Sequence, residues 1–108
     1  MTNASEPVRI YVYYAGPAKS RFDRDYYVDA HLPIVMEAWV KYGLTSVRAF
    51  FPPEDAAGTL AICECLFRDE NAVEAAFSSP EAPGVMADVA RFTDLAPKQV
   101  RALPLGGA

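Results

Sequence analysis

The run Val8-Arg9-Ile10-Tyr11-Val12-Tyr13-Tyr14 limits what this chain can become more than any other stretch. It is rich in β-branched and aromatic residues, begins after Pro7 and stops at Gly16-Pro17, which predicts a first strand. Side chains alternate along a strand, so Ile10, Val12 and Tyr14 share one face while Arg9, Tyr11 and Tyr13 share the other. Both sets are largely apolar. A sheet built on such a strand has no face suited to water, and each face needs a covering layer.

Helices can supply one layer. Asp23 predicts an N-cap, and from Tyr27 the apolar positions Ala30, Ile34, Val35, Ala38 and Tyr42 recur at helical spacing until Gly43 ends the pattern. Pro33 lies inside this pattern without an N–H to donate, which predicts a kink or a fresh start near His31. Leu44 to Phe51 reads as a second strand closed by Pro52-Pro53. The loop from Glu54 to Gly58 leads to a third strand, Thr59 to Phe67. Asn71 to Phe77 is a short helix, interrupted by Ser78-Ser79-Pro80. Glu81 to Phe92 continues it, with Val85, Val89 and Phe92 on one side. Lys98 to Leu103 completes a β-α-β-β-α-β order, the α+β ferredoxin-like arrangement with helices on one face of an antiparallel sheet. A chain of 108 residues suits one domain, 1–108, with mobile tails at 1–6 and 104–108. The other sheet face then calls for a second copy of the chain, predicting a homodimer whose two sheets close into a barrel.

Charge and composition remove several function classes. The formal net charge is −4 and the basic residues are scattered, so no nucleic-acid partner is expected. No stretch approaches the roughly twenty apolar residues that span a bilayer, and the N-terminus has no leader pattern; the expectation is a cytoplasmic protein with no membrane partner. Cys63 and Cys65 are the only cysteines. Their Cα atoms lie roughly 6.5 to 7 Å apart on one side of a strand, which would strain a disulfide, and reduced, buried thiols fit a reducing compartment. With one histidine besides, the chain falls short of a structural zinc site. Neither G-x-G-x-x-G, a Walker-type loop, G-x-S-x-G nor H-E-x-x-H occurs, so the expected site has no metal and no cofactor. Haem, which one axial histidine can hold, is the exception that a Soret band would reveal.

Within FDRDYYVDAHLPIV, Phe22 to Val35, stands the one side chain whose ordinary pKa lies near neutrality, His31. Any general acid–base step at neutral pH would recruit it first, and Tyr27, four residues earlier on the same helical face, could hydrogen-bond it or a ligand. From composition alone, a lone histidine on a partly apolar helix is more often a packed, hydrogen-bonded core or capping residue. Tyr13, Tyr26 and Trp39, with the neighbouring tyrosines, are broad apolar bodies with polar tips, suited to stacking a hydrophobic ligand or to filling a small core. Cys65 could line the same site, or act as a nucleophile if a cation lowered its pKa; a buried, inert thiol is the alternative. Glu64 faces away from both cysteines, and Arg9 or Arg48 could pair with it.

The run Phe22-Asp23-x-Asp25-Tyr26-Tyr27-x-x-x-His31-Leu32-Pro33-Ile34-Val35 resembles the signature of the EthD family. The segment Ser79-Pro80-Glu81, followed by Val85-x-Ala87-Asp88-Val89-x-x-Phe92-Thr93-Asp94, is similar to that family's second helix and its exit. The resemblance implies a dimeric α+β barrel of ferredoxin-like subunits, in a superfamily that includes cofactor-independent monooxygenases, lactone isomerases, polyketide cyclases and haem-dependent enzymes. Carried over residue by residue, it marks His31, Tyr26 and Tyr27. Glu64-Cys65-Leu66-Phe67 also resembles a strand of the methylmuconolactone-isomerase branch, where a cysteine lines the cavity, although that branch lacks the Tyr-Tyr pair. The expected function is a small cofactor-independent isomerase, cyclase or monooxygenase acting on a hydrophobic cyclic or aromatic metabolite by His31-assisted proton transfer, with Tyr27 or Tyr13 orienting the substrate. The alternative is a non-catalytic protein that binds a lipophilic catabolic intermediate for a partner oxidase.

Overall fold

The computed structural model describes residues 6–53, 57–102 and 106. The tails expected to be mobile, 1–6 and 104–108, fall outside these apart from Glu6 and Gly106, as does most of the loop before the third strand. The elements are β1 (Val8–Gly16), α1 (Arg24–Tyr26), a π-helical turn (Tyr27–His31), α2 (Leu32–Trp39), a 3-10 turn (Val40–Tyr42), β2 (Leu44–Phe50), β3 (Gly58–Phe67), α3 (Glu70–Phe77), α4 (Ala82–Asp88), a second 3-10 turn (Val89–Arg91) and β4 (Lys98–Ala102). The strands lie in the order β2-β3-β1-β4, every neighbour antiparallel. This is the ferredoxin-like arrangement that the element order predicts.

The helix boundaries follow from local chemistry. Asp23 accepts a hydrogen bond from the Tyr26 N–H at 3.0 Å, and Asp69 does the same for Ala72 at 2.8 Å. Gly43 ends the first helical segment at φ 116°, in left-handed territory, and a Cβ there would also collide with Ala72. Of the kink or fresh start expected near His31, the structure shows a fresh start: the π turn ends at His31 and α2 begins at Leu32, with Pro33 in its first turn. The Leu32 N–H reaches back five residues to the Tyr27 carbonyl, so the helix widens by one residue and continues through the proline. Tyr27 and His31 in the wide turn, and Leu32, Val35 and Trp39 beyond it, are all buried.

The core lies between the sheet and the helices. Ile10 and Tyr14 of β1 and Cys63, Cys65 and Phe67 of β3 meet Val35, Trp39, Val85 and Phe92 there. The loop before α1 is stitched to the exit of the α4 segment: Asp23 N–H donates to the Phe92 carbonyl at 2.8 Å, and the Thr93 hydroxyl to the Arg21 carbonyl at 2.7 Å. On the opposite sheet face, the Tyr11 hydroxyl donates to Glu64 at 2.7 Å and Arg48 pairs with Glu64 at 3.0 Å, while Phe50 and Val100 are 47% and 52% exposed. Among the described residues no helix is long and apolar enough to cross a membrane.

Candidate functional site

The π turn and α4 face each other across the core and join His31 to Asp88. His31 Nδ1 lies 2.8 Å from Asp88 Oδ2, with the two residues 4% and 8% exposed. The Tyr26 hydroxyl donates to Asp88 Oδ1 at 2.7 Å, and Arg91 Nε stands 3.5 Å from the same oxygen. Burial alone would push the Asp88 carboxyl up. The hydrogen bonds from His31 and Tyr26, with the charge of Arg91, outweigh it and hold the group below its ordinary value. Asp88 is therefore a carboxylate that only accepts, so the proton on the His31 ring must sit on Nδ1. Burial lowers the His31 pKa more than Asp88 raises it, leaving the imidazole neutral near pH 7 with its lone pair on Nε2. Nε2 makes no hydrogen bond among the described residues.

That ring borders an apolar cavity between sheet and helices. Its inner part, about 50 Å³, is walled by His31, Tyr14, Tyr27, Cys63 and Trp39 with neighbouring valines. An outer part of about 240 Å³ shares Val12, Trp39, Cys65 and Met86 with it and reaches Lys98 and Gln99 of β4. A larger hollow of about 420 Å³ along the Ala18–Asp25 loop is mainly polar and excludes His31, so the smaller apolar cavity is the one placed for chemistry. Tyr27 stacks on the imidazole with ring centroids 5.5 Å apart and planes 21° apart, and Phe92 lies 4.7 Å from it on a tilted plane. The ring is fixed by packing as well as by Asp88.

His31 and Asp88 lie in the two segments whose residues resemble EthD signatures, and the EthD domain profile matches residues 17–96, spanning both. The chain belongs to the EthD family. An EthD-like protein from Ralstonia eutropha is 21% identical over 91% of each chain, with a TM-score of 0.76. An EthD family protein from Bacillus halodurans is 17% identical over 90% of this chain and 99% of its own, with a TM-score of 0.64. SnoaB of Streptomyces nogalater, a cofactor-independent oxygenase, shares 8% identity over 96% and 97% of the two chains at a TM-score of 0.66. At such identities the likeness is one of fold. No curated protein is detectably similar in sequence.

In this EthD-family chain, four of the six residues singled out from the sequence surround one space: His31, Tyr27, Trp39 and Cys65. Tyr27 touches His31 by stacking; its phenol is pushed far above its ordinary value by burial and by the Cys63 thiol beside it. Tyr26 is not a wall of the cavity, since its hydroxyl is spent on Asp88. Tyr13 is not brought there either. It sits opposite Ile62 and Lys98 on the sheet face that Tyr11 and Glu64 occupy, while Tyr14 takes the inner position. Cys65 Sγ lies 3.8 Å from Cys63 Sγ, and the hydrogen bond to Cys63 together with burial pushes its pKa up, so it is a thiol. Asp88, central to the geometry, stands in the EthD-like segment of the sequence without a role assigned to it there. Its signal was present as a carboxylate on the apolar side of a helix, three residues after Val85 and four before Phe92.

Proposed function

We propose that this protein is a small cofactor-independent enzyme in which His31 removes a proton from a hydrophobic cyclic or aromatic metabolite lodged between the sheet and the helices. The observation that carries this reading is the buried His31–Asp88 pair at 2.8 Å, set in the wall of an apolar cavity. Asp88 fixes the tautomer and ring orientation, and low surrounding polarity keeps the imidazole neutral and able to accept. Removing a proton beside a carbonyl or from a phenol gives an enolate or phenolate. That anion is the common first intermediate of isomerisation, cyclisation and cofactor-free oxygenation, so one base serves all three. SnoaB, similar in fold, is a cofactor-independent oxygenase, which supports chemistry carried by side chains alone. A second copy of the chain is the proposed cover for the sheet face bearing Phe50 and Val100, completing a dimeric barrel.

Exchange of acidic C–H protons against D2O, followed by proton NMR over a panel of small lactones, phenols and polycyclic ketones, tests the proposal. Catalysed exchange with at least one compound, reduced about 10²- to 10⁴-fold in His31→Ala, is expected. Unchanged exchange in that variant would remove His31 from the mechanism. The second reading, a binding protein for a lipophilic intermediate passed to a partner oxidase, draws on the small free volume next to the ring, about 50 Å³. It predicts stoichiometric binding with no exchange.

A further inference from the structure

The cavity is stepped. The part bordered by His31 holds about 50 Å³, and the outer part, which His31 does not border, holds about 240 Å³. Val12, Trp39, Cys65, Met86 and Pro97 wall both, so the two parts adjoin. Met86 is 52% exposed and His31 4%, which sets the outer part toward solvent and the imidazole at the closed end. Among the described residues His31 Nε2 makes no hydrogen bond, yet it is not an enclosed atom without a partner, a condition that Trp39 Nε1 alone meets there. Nε2 therefore keeps an accessible face, and the inner part is the space its ring borders.

Volume decides what can reach that nitrogen. A void of roughly 150 Å³ is enough for benzene, or roughly 25 Å³ for each ring carbon. On that scale the inner part takes roughly two non-hydrogen atoms and the outer part roughly nine or ten. A ring fits the outer part and is excluded from the closed end. An acidic C–H that belongs to a ring brings its ring neighbours with it, so its approach to Nε2 pushes against Leu32, Val35, Val85 and Val89. Close-packed walls yield to such a push only at a cost. A C–H on a short arm projecting from the ring meets no such obstacle. The arm enters, and the ring stays beside Trp39, Phe77 and Met86.

We infer that the site takes an apolar ring bearing a short exocyclic acyl arm, an aryl methyl ketone being the simplest case, and that His31 Nε2 acts on the C–H of the arm rather than of the ring. The inference rests on the reading of His31 as the base of this cavity and narrows its substrate. When the methyl C–H bond breaks, the proton passes to Nε2 and the electron pair delocalises onto the carbonyl oxygen, giving an enolate. In D2O the imidazolium trades that proton for a deuteron from solvent and returns the deuteron to carbon. Each turnover replaces one C–H by C–D with no net oxidation or reduction.

The test follows deuterium exchange by proton NMR in 4-methylacetophenone and 1-indanone, aryl ketones with the same number of non-hydrogen atoms. The first carries its acidic C–H on the acetyl methyl, the second on a ring carbon. Each rate is taken relative to that compound's own exchange without protein. The methyl ketone is expected to be accelerated about ten- to a hundredfold more than the indanone, the penalty for forcing extra atoms into a packed space. Val35 stands one helical turn beyond His31 and walls the inner part but not the outer. Val35→Ala removes two methyl groups, roughly another 50 Å³ on the same scale, and should raise indanone exchange toward that of the methyl ketone. If this variant does not fold, the two rates in the native protein decide alone. Equal acceleration of the two ketones, or an unaltered ratio in folded Val35→Ala, would overturn the inference and leave the base standing. No acceleration of either ketone, while a lactone or phenol exchanges through His31, would overturn the inference alone. No exchange of any compound would remove the base and the inference together.

Discussion

Replacing Asp88 by Asn keeps the shape of the side chain and deletes its charge, and the consequences follow from what converges on it. In the native protein Oδ2 accepts from His31 Nδ1 at 2.8 Å and Oδ1 from the Tyr26 hydroxyl at 2.7 Å, with Arg91 Nε at 3.5 Å. An Asn has one acceptor oxygen for these donors. If its oxygen stays with Tyr26, its NH2 faces Nδ1 and can bond the ring only when Nδ1 carries no proton. His31 must then hold its proton on Nε2, and the atom meant to accept in the cavity becomes a donor. A charge-assisted hydrogen bond is worth about 1.5–3 kcal/mol against about 1 for a neutral one, so the folded state should lose on the order of 1–2 kcal/mol. The loss in catalysis is larger, about 10²- to 10⁴-fold, the worth of a positioned general base. Removing the carboxylate also removes what opposes burial at His31, so its pKa falls further. With a single histidine in the chain, nitrogen NMR reads tautomer and titration without ambiguity. A native ring protonated on Nε2, or a Asp88→Asn titration curve that overlays the native one, would refute the reasoning.

Three other outcomes are expected. Gly43→Ala forces a left-handed φ of 116° on a residue whose Cβ collides with Ala72, and should lower the urea midpoint by the equivalent of more than about 1 kcal/mol; an unchanged midpoint would show that the turn relaxes freely. His31, Asp88 and Glu81 all have lowered pKa values in the fold, Glu81 at about 2 because Lys41 and Tyr42 hydrogen-bond it. The unfolded chain therefore binds more protons than the folded one in acid, so stability holds above about pH 6.5 and declines as pH falls, first through His31 and then, below about pH 4.5, through the carboxyls; equal urea midpoints at pH 7.5 and 5.5 would mean that His31 protonates freely in the fold. Val100→Asp puts a charge on the open sheet face, and light scattering should report the mass of one chain for the variant and of two for the native protein.

Much of this architecture is legible in residues whose effect is local. Asp23 and Gly43 bracket the first helical segment because capping and a left-handed turn depend only on nearby backbone. Pro33 shows the limit of the same reasoning. Its missing N–H is local, but whether the helix breaks or widens depends on the packing that holds Tyr27 and His31 inward, and here the widened turn prevails. Tyr13 and Tyr14 show another limit, since both sides of β1 are apolar and only the placement of the helices decides which tyrosine is inner. Asp88 was visible as part of a recurring pattern, yet its partner is 57 residues away, and periodicity carries no information about which distant side chains meet.

The π turn also makes the site a matter of helical phase. Each residue advances an α-helix by about 100°, and the five-residue reach from Leu32 to Tyr27 inserts one such step between two anchored ends. One end is tied at Asp23 to the Phe92 carbonyl, the other is stopped by Gly43 against Ala72. Deleting a single residue between Tyr27 and His31 would give a more regular helix, but no rotation of it would satisfy both ends. Either the capping end or the stretch carrying Leu32, Val35 and Trp39 would turn about a quarter of a revolution out of register. The segment therefore works as a gear with one added tooth, and the length of the chain between its two anchors, as much as the identity of the histidine, sets where the imidazole faces.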